Sequence, residues 1–243
     1  MRRRVVAGGA MLYDASRAGN LSAEWFDPRL LLGRGQADAV ASGRGAAWFI
    51  APAGARWVLR HYRRGGLAAA LASDRYLWRG EGATRPFAEW QLTYHLHRAG
   101  LPVPAPVAAS YRREGVTYRG DLITERLEGV QPLAQCLGTG ALSLLNWIAI
   151  GRCLRRFHDA GACHADLNAH NVLLGDGDAV YLVDFDRGSL RPPGLWRDGN
   201  LVRLRRSLEK VCYGLPPERF TEADWHGLLD GYQLPAAAPA VRG

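Results

Sequence analysis

His164-Ala165-Asp166-Leu167-Asn168-Ala169-His170-Asn171, followed downstream by Tyr181-Leu182-Val183-Asp184-Phe185-Asp186, is the stretch that decides how this chain is read. Oxygen-bearing side chains stand at fixed offsets in it: a carboxylate at 166, an amide at 171, a second carboxylate at 184. Two short apolar runs, 172–174 and 180–183, separate the last two and predict a strand pair. Upstream, apolar periodicity predicts a helix over 143–158, closed by Gly161. A lone His-x-Asp is usually an unremarkable turn. The joint pattern of loop, amide at the right offset, hairpin and apolar-Asp-Phe is far more specific.

That pattern resembles the catalytic loop and metal-binding motif of the protein-kinase-like superfamily, H-x-D-L-x-x-x-N and then D-F-G. Phosphoryl transfer needs a carboxylate to orient and deprotonate the attacking hydroxyl, and oxygen ligands for Mg²⁺ ions that bridge the phosphates. Asp166 is then the catalytic base, Asn171 the neutral metal ligand and Asp184 the charged one. Asp186 stands where the motif usually has glycine. His158 and His164 read as structural hydrogen-bonders.

The first half of the chain supplies the expected nucleotide contacts. Residues 38–62 read as strand, glycine turn, strand, Pro/Gly turn, strand. Gly43 and Gly45 sit in the first turn, where a phosphate-covering loop belongs, although a full G-x-G-x-x-G is absent and an ordinary hairpin turn fits too. Gly33-Arg34-Gly35 is a competitor without a clear preceding strand. Lys210 is the only lysine, so the third strand cannot provide the usual phosphate-binding lysine. Arg60 takes that place, sharing a strand face with Val58, which would roof the adenine; a solvated edge-strand arginine is the alternative. A helix is predicted from about Thr84 to Gly100, with Phe87, Trp90 and Tyr94 on one face. Glu89 on it is the proposed ion-pair partner of Arg60, unless it is an ordinary exposed carboxylate. Thr124-Glu125-Arg126-Leu127 reads as the hinge, with Glu125 and Leu127 offering backbone groups to the adenine edge.

The order of elements predicts an α+β, bilobal protein-kinase-like fold. Residues 1–30, poorly patterned, form an N-terminal arm. Residues 31–125 form a β-rich N-terminal lobe, and 126–243 a compact, mostly helical C-terminal lobe. A length of 243 residues and 48% hydrophobic content suffice for one such domain. The net charge of +8 points to an anionic partner without choosing among nucleotide, nucleic acid and membrane. Residues 56–79 carry six arginines against Asp74, a net of +5, and residues 187–210 also net +5. The four cysteines form no C-x-x-C pair and fit reduced thiols. No stretch reads as a signal peptide or a membrane span. Only 57 residues follow Asp186, with no A-P-E, which disfavours a protein substrate.

Beyond the superfamily motif, the chain from about 43 to 210 resembles the 3-deoxy-D-manno-octulosonic acid (Kdo) kinases of the lipopolysaccharide kinase group. The resemblance rests on Val58-Leu59-Arg60-His61-Tyr62-Arg63-Arg64-Gly65-Gly66-Leu67, Phe87-Ala88-Glu89 and Gly100-Leu101-Pro102-Val103-Pro104. It continues through the 164–171 loop, Asp184-Phe185-Asp186-Arg187-Gly188 and Arg206-Ser207-Leu208-Glu209-Lys210. It implies ATP-dependent, Mg²⁺-supported phosphorylation of a Kdo hydroxyl on Kdo–lipid A. The place of action implied is the cytoplasmic face of a Gram-negative inner membrane, the protein attached peripherally to anionic lipid. No nucleic acid or protein partner is expected. The alternatives are a kinase for another sugar, such as a core heptose or an aminoglycoside, and an inactive kinase fold that only binds.

Overall fold

The computed structural model describes residues 1–40, 47–63 and 74–234. The chain divides into two compact units, Met1–His97 with Pro104–Leu127, and Arg98–Val103 with Glu128–Gly243.

The first unit is built on an antiparallel sheet. Its strands are β1 (Arg2–Val6), β2 (Gly9–Tyr13), β3 (Ala37–Val40), β4 (Ala47–Ile50), β5 (Trp57–His61), β6 (Tyr76–Leu77), β7 (Pro106–Glu114) and β8 (Thr117–Glu125). Their order is β1-β2-β7-β8-β5-β4-β3, with β6 also on β8. Alternation sends successive side chains to opposite faces. Trp57 and Leu59 join Met11, Tyr13, Ile50, Val107 and Ile123 in one apolar cluster. Tyr62, Leu12, Ala109, Tyr111, Tyr118 and Leu122 join Phe87 and Trp90 in a second, so that face packs on helix α3 (Arg85–Arg98). Gly120 marks how close that helix comes, since a Cβ there would lie 2.6 Å from Pro86 Cγ.

The arm expected at residues 1–30 is not one. β2 pairs with the central strand β7, from Gly9↔Arg112 to Tyr13↔Ala108. Between β2 and β3, α1 (Ala15–Ala18), α2 (Pro28–Gly33) and the connection between them put Ala18, Leu31 and Leu21 into the first cluster. Their apolar residues cover a sheet face whose partners lie a hundred residues along the chain, so no local periodicity betrays them. After the residues outside the description, Tyr76–Leu77 pairs with β8 as a strand the sequence does not announce.

The second unit is mainly helical: α4 (Leu133–Thr139), α5 (Leu144–Asp159), α6 (Trp196–Cys212) and α7 (Glu222–Gln233). Ser143 caps α5 through a reciprocal pair of bonds with Asn146, and Thr221 caps α7 likewise with Asp224. Helices α5 and α7 cross in near backbone contact. A Cβ on Gly151 would lie 1.9 Å from Leu228 O, and one on Gly231 would lie 2.1 Å from Ile148 O. Short strands hold the connecting loops: β9 (Gln131–Pro132), β11 (Val172–Leu174) and β12 (Val180–Leu182) form one small sheet, β10 (Ala162–Cys163) and β13 (Ser189–Leu190) another. The α+β class holds, with a sheet-based first unit and a helical second. Among the described residues no helix is long and apolar enough to cross a membrane.

Candidate active site

In the second unit the loop after β10 is built around His164, whose side chain is almost wholly buried. Its Nε2 lies 2.9 Å from Val183 O and its Nδ1 3.1 Å from Asp166 N. A carbonyl only accepts and an amide N–H only donates, which fixes the neutral ring with its proton on Nε2. Burial drives the imidazole pKa down, against the hydrogen bond to Val183 that raises it. The ring also lies against Phe185, at 4.7 Å between centroids, and Phe185 stacks on Phe157 of α5. One histidine thus couples the loop bearing Asp166 to the strand end bearing Asp184.

Asp166 projects from this frame with its side chain 69% exposed. Asn168 Nδ2 donates to its carboxylate Oδ2 at 3.1 Å, and Asn171 Nδ2 donates to its backbone carbonyl at 2.9 Å. With its amide nitrogen so used, Asn171 has Oδ1 to offer outward, and it is itself buried. Asp184 adopts φ +63, in the left-handed region where non-glycine residues are uncommon and aspartate is among the better tolerated. That conformation departs from the β12 course, just after Val183 N has bonded Asn171 O at 3.0 Å. The two expected metal ligands are therefore tied backbone to backbone through their neighbours.

Helix α6 holds the loop from outside. Asn200 accepts from His164 N at 3.2 Å and donates to His164 O at 2.8 Å, and Ser207 Oγ accepts from Ala169 N at 3.1 Å. Arg203, between them, places Nη1 3.8 Å from Asp166 Oδ1. The sequence reading assigned no role to Asn168, Asn200, Arg203 or Ser207. Asn168 lay in plain view inside the motif, and Ser207 within the 206–210 segment that carries the family resemblance; no local signal marks Asn200 and Arg203.

The first unit brings Arg60 and Glu89 together across β5 and α3, with Arg60 Nη2 2.5 Å from both carboxylate oxygens. The Glu89 side chain is only 3% exposed, which removes the exposed-carboxylate alternative. Tyr62, on the same strand face, also donates its hydroxyl to Glu89, a contact the sequence reading missed. Val58 shares that face and is half-buried. His61 turns the other way, Nδ1 2.6 Å from Asp121 and Nε2 3.4 Å from Asp74; the Asp121 hydrogen bond raises its pKa. In the expected hinge the Glu125 amide donates to Ala105 O and the Arg126 amide to Arg56 O, so both donors are used within the unit. The Glu125 carboxylate pairs with Arg17. Gly43 and Gly45 lie outside the described residues.

Residues 33–232 match the lipopolysaccharide kinase (Kdo/WaaP) family. The chain belongs to that family. It is 49% identical over 230 residues, 93% of this chain and 90% of the relative, to the 3-deoxy-D-manno-octulosonic acid kinase of Xanthomonas euvesicatoria pv. vesicatoria (strain 85-10). The protein of the same name from Xylella fastidiosa (strain 9a5c) is 48% identical over 204 residues, 84% of this chain and 81% of the relative. A kinase needs a carboxylate within reach of the attacking hydroxyl and oxygen donors near it; the second unit presents an exposed Asp166 carboxylate on a backbone fixed by a buried histidine.

Proposed function

We propose that this chain phosphorylates a hydroxyl of the Kdo sugar on Kdo–lipid A, using ATP, in the assembly of the lipopolysaccharide core. The observation that carries the reading is the exposed Asp166 carboxylate, with its own backbone amide fixed by His164 and its Oδ2 held by Asn168, in a chain nearly half identical to proteins named Kdo kinases. In the step proposed, the acceptor oxygen attacks the γ-phosphorus and the bond from that phosphorus to the β–γ bridging oxygen breaks. ADP departs with the electron pair, and the hydroxyl proton passes to Asp166.

The residues present suit Mg²⁺. Asn171 Oδ1 and the Asp184 carboxylate are hard oxygen donors, and among the described residues no cluster of three His, Cys, Asp or Glu forms a closed cage. One carboxylate and one amide, completed by phosphate oxygens and water, is the sparse protein share typical of this ion. The metal would neutralise charge on the phosphates. Arg60, steadied by Glu89 and Tyr62, would bind the α/β-phosphates, and Val58 would cover the adenine. With the Glu125 and Arg126 amides used in the sheet, the Leu127 amide and the Glu125 carbonyl are the hinge groups assigned to the adenine edge. Gly43 and Gly45 are the proposed phosphate-covering turn.

Purified protein incubated with ATP, Mg²⁺ and Kdo–lipid A should yield a product heavier by one phosphoryl group on the sugar. ATP turnover that needs a different sugar would replace Kdo with that acceptor, and ATP binding without turnover would leave only a binding module.

A further inference from the structure

Helix α6 meets the catalytic loop through Asn200, Arg203 and Ser207, spaced three and four apart and so on one helical face. The outer two are anchors. Asn200 closes two bonds on the His164 backbone, and Ser207 receives the Ala169 amide. These bonds set the register of helix against loop at both ends of the segment 164–169. Arg203, halfway along the helix face, is thereby held beside Asp166, partway along the loop.

The pair is open. The Arg203 side chain is 55% exposed and the Asp166 side chain 69%, and their 3.8 Å separation is too long for a hydrogen bond. An exposed ion pair of this kind contributes little to stability. It also leaves the guanidinium with donors to spare, since arginine carries five N–H groups in a planar fork. The other Asp166 oxygen is already served by Asn168. The proposed acceptor is a sugar acid, so the reaction brings a second carboxylate close to a base that must itself stay ionised. Like charges at such distances disfavour binding unless a cation lies with them. A fork that can bind a carboxylate through two parallel N–H bonds meets that need better than a lysine does.

We propose that Arg203 binds the carboxylate of the acidic sugar beside Asp166 and so makes the enzyme selective for acidic over neutral sugars. This rests on the Kdo reading given above. The test is a cycle between enzyme and acceptor. Kdo–lipid A and its derivative with the Kdo carboxylate converted to the carboxamide are compared on wild type, Arg203→Met and Arg203→Lys. Wild type should lose roughly tenfold to a hundredfold in kcat/KM on passing from acid to amide, the worth of a charge-assisted hydrogen bond. Arg203→Met should show that same loss on the acid, mainly in acceptor KM, and no further loss on the amide, with the KM for ATP unchanged. Arg203→Lys should recover part of the discrimination. Discrimination in Arg203→Met equal to wild type overturns the proposal. So does a raised KM for ATP with an unchanged acceptor KM, which would assign the guanidinium to the phosphates. Wild type inactive on both acceptors overturns the Kdo reading itself and the inference with it.

Discussion

At the scale of single residues, Asp166 and His164 differ in what they expose. The Asp166 carboxylate is exposed, as the base proposed above must be, while the imidazole is buried, neutral and committed to holding two backbone segments. Asp166→Asn should therefore preserve nucleotide binding and lower turnover by roughly a hundredfold or more, the scale of a lost general base. Turnover near the wild-type rate, measured with saturating acceptor, contradicts the assignment. His158, in the last turn of α5, illustrates a purely structural titration. Burial lowers its pKa to about 4, and its Nδ1 lies 2.7 Å from the Tyr232 hydroxyl. The folded protein keeps this ring neutral, while the unfolded chain takes up a proton below about pH 6.5. Its contribution is complete above that pH and is lost as the pH falls from about 6.5 toward about 4, by up to about 3 kcal/mol. Urea unfolding from pH 7 to 5 should show wild type losing stability more steeply than His158→Gln; parallel curves refute this.

Two junctions carry the argument at the scale of elements. Strand β5 and helix α3 meet through Arg60, Tyr62 and Glu89. Removing Arg60 takes from a buried carboxylate the guanidinium that bonds both of its oxygens, which costs more than removing both charges. In a double-mutant cycle, Arg60→Ala and Glu89→Ala should couple by about 0.5–3 kcal/mol in stability, and both should raise the KM for ATP. Strict additivity would separate the pair and move the phosphate contact to another arginine. Helices α5 and α7 meet through glycines. Gly151→Ala places a methyl on the Leu228 carbonyl and should destabilise the second unit by about 1–3 kcal/mol or more. Gly199→Ala, on an exposed stretch of α6 with nothing near its missing Cβ, is the matched control and should be neutral or slightly stabilising. Equal midpoints for the two variants in thermal unfolding would show that the crossing relaxes.

The charge excess of +8 is redistributed once partners are counted across the whole molecule. Arg75 pairs with Glu114, Arg197 with Asp159, and Arg205 with Glu209 and Glu222. Arg187, Arg191, Arg206 and Lys210 are exposed in the second unit, as are Leu195 and Tyr213. The acceptor proposed above carries acyl chains and would be met at a lipid surface, where each such cation near anionic lipid contributes about 1 kcal/mol. The protein should therefore sediment with vesicles containing anionic lipid and be released by high salt. Charge reversal at Arg187, Arg191, Arg206 and Lys210 together should weaken sedimentation and leave ATP binding intact. Equal binding to neutral and anionic vesicles at every salt level would give these cations another purpose.

Local sequence was enough for whatever is local in physics. The 164–171 loop and the Asp184 turn are joined by one short hairpin, so the spacing of their oxygen-bearing side chains is written directly in the chain. The capped helix at 144–159 and the alternation of β5 also show in short windows. The partner of Arg60 was legible because strand face and helix face each follow a fixed period. Residues 1–30 were misread because their apolar side chains find partners on β7 and β5, which no window near them contains. The same holds for Asn200, Arg203 and Ser207. Their helix is visible in the sequence, but which face turns to the catalytic loop, and in what register, follows only from the packing of α6 on that loop. The oxygen-bearing side chains available to this chain were set by the order of its residues; which arginine stands beside Asp166 was decided by the tertiary structure, because only folding brings positions 166 and 203 within 4 Å.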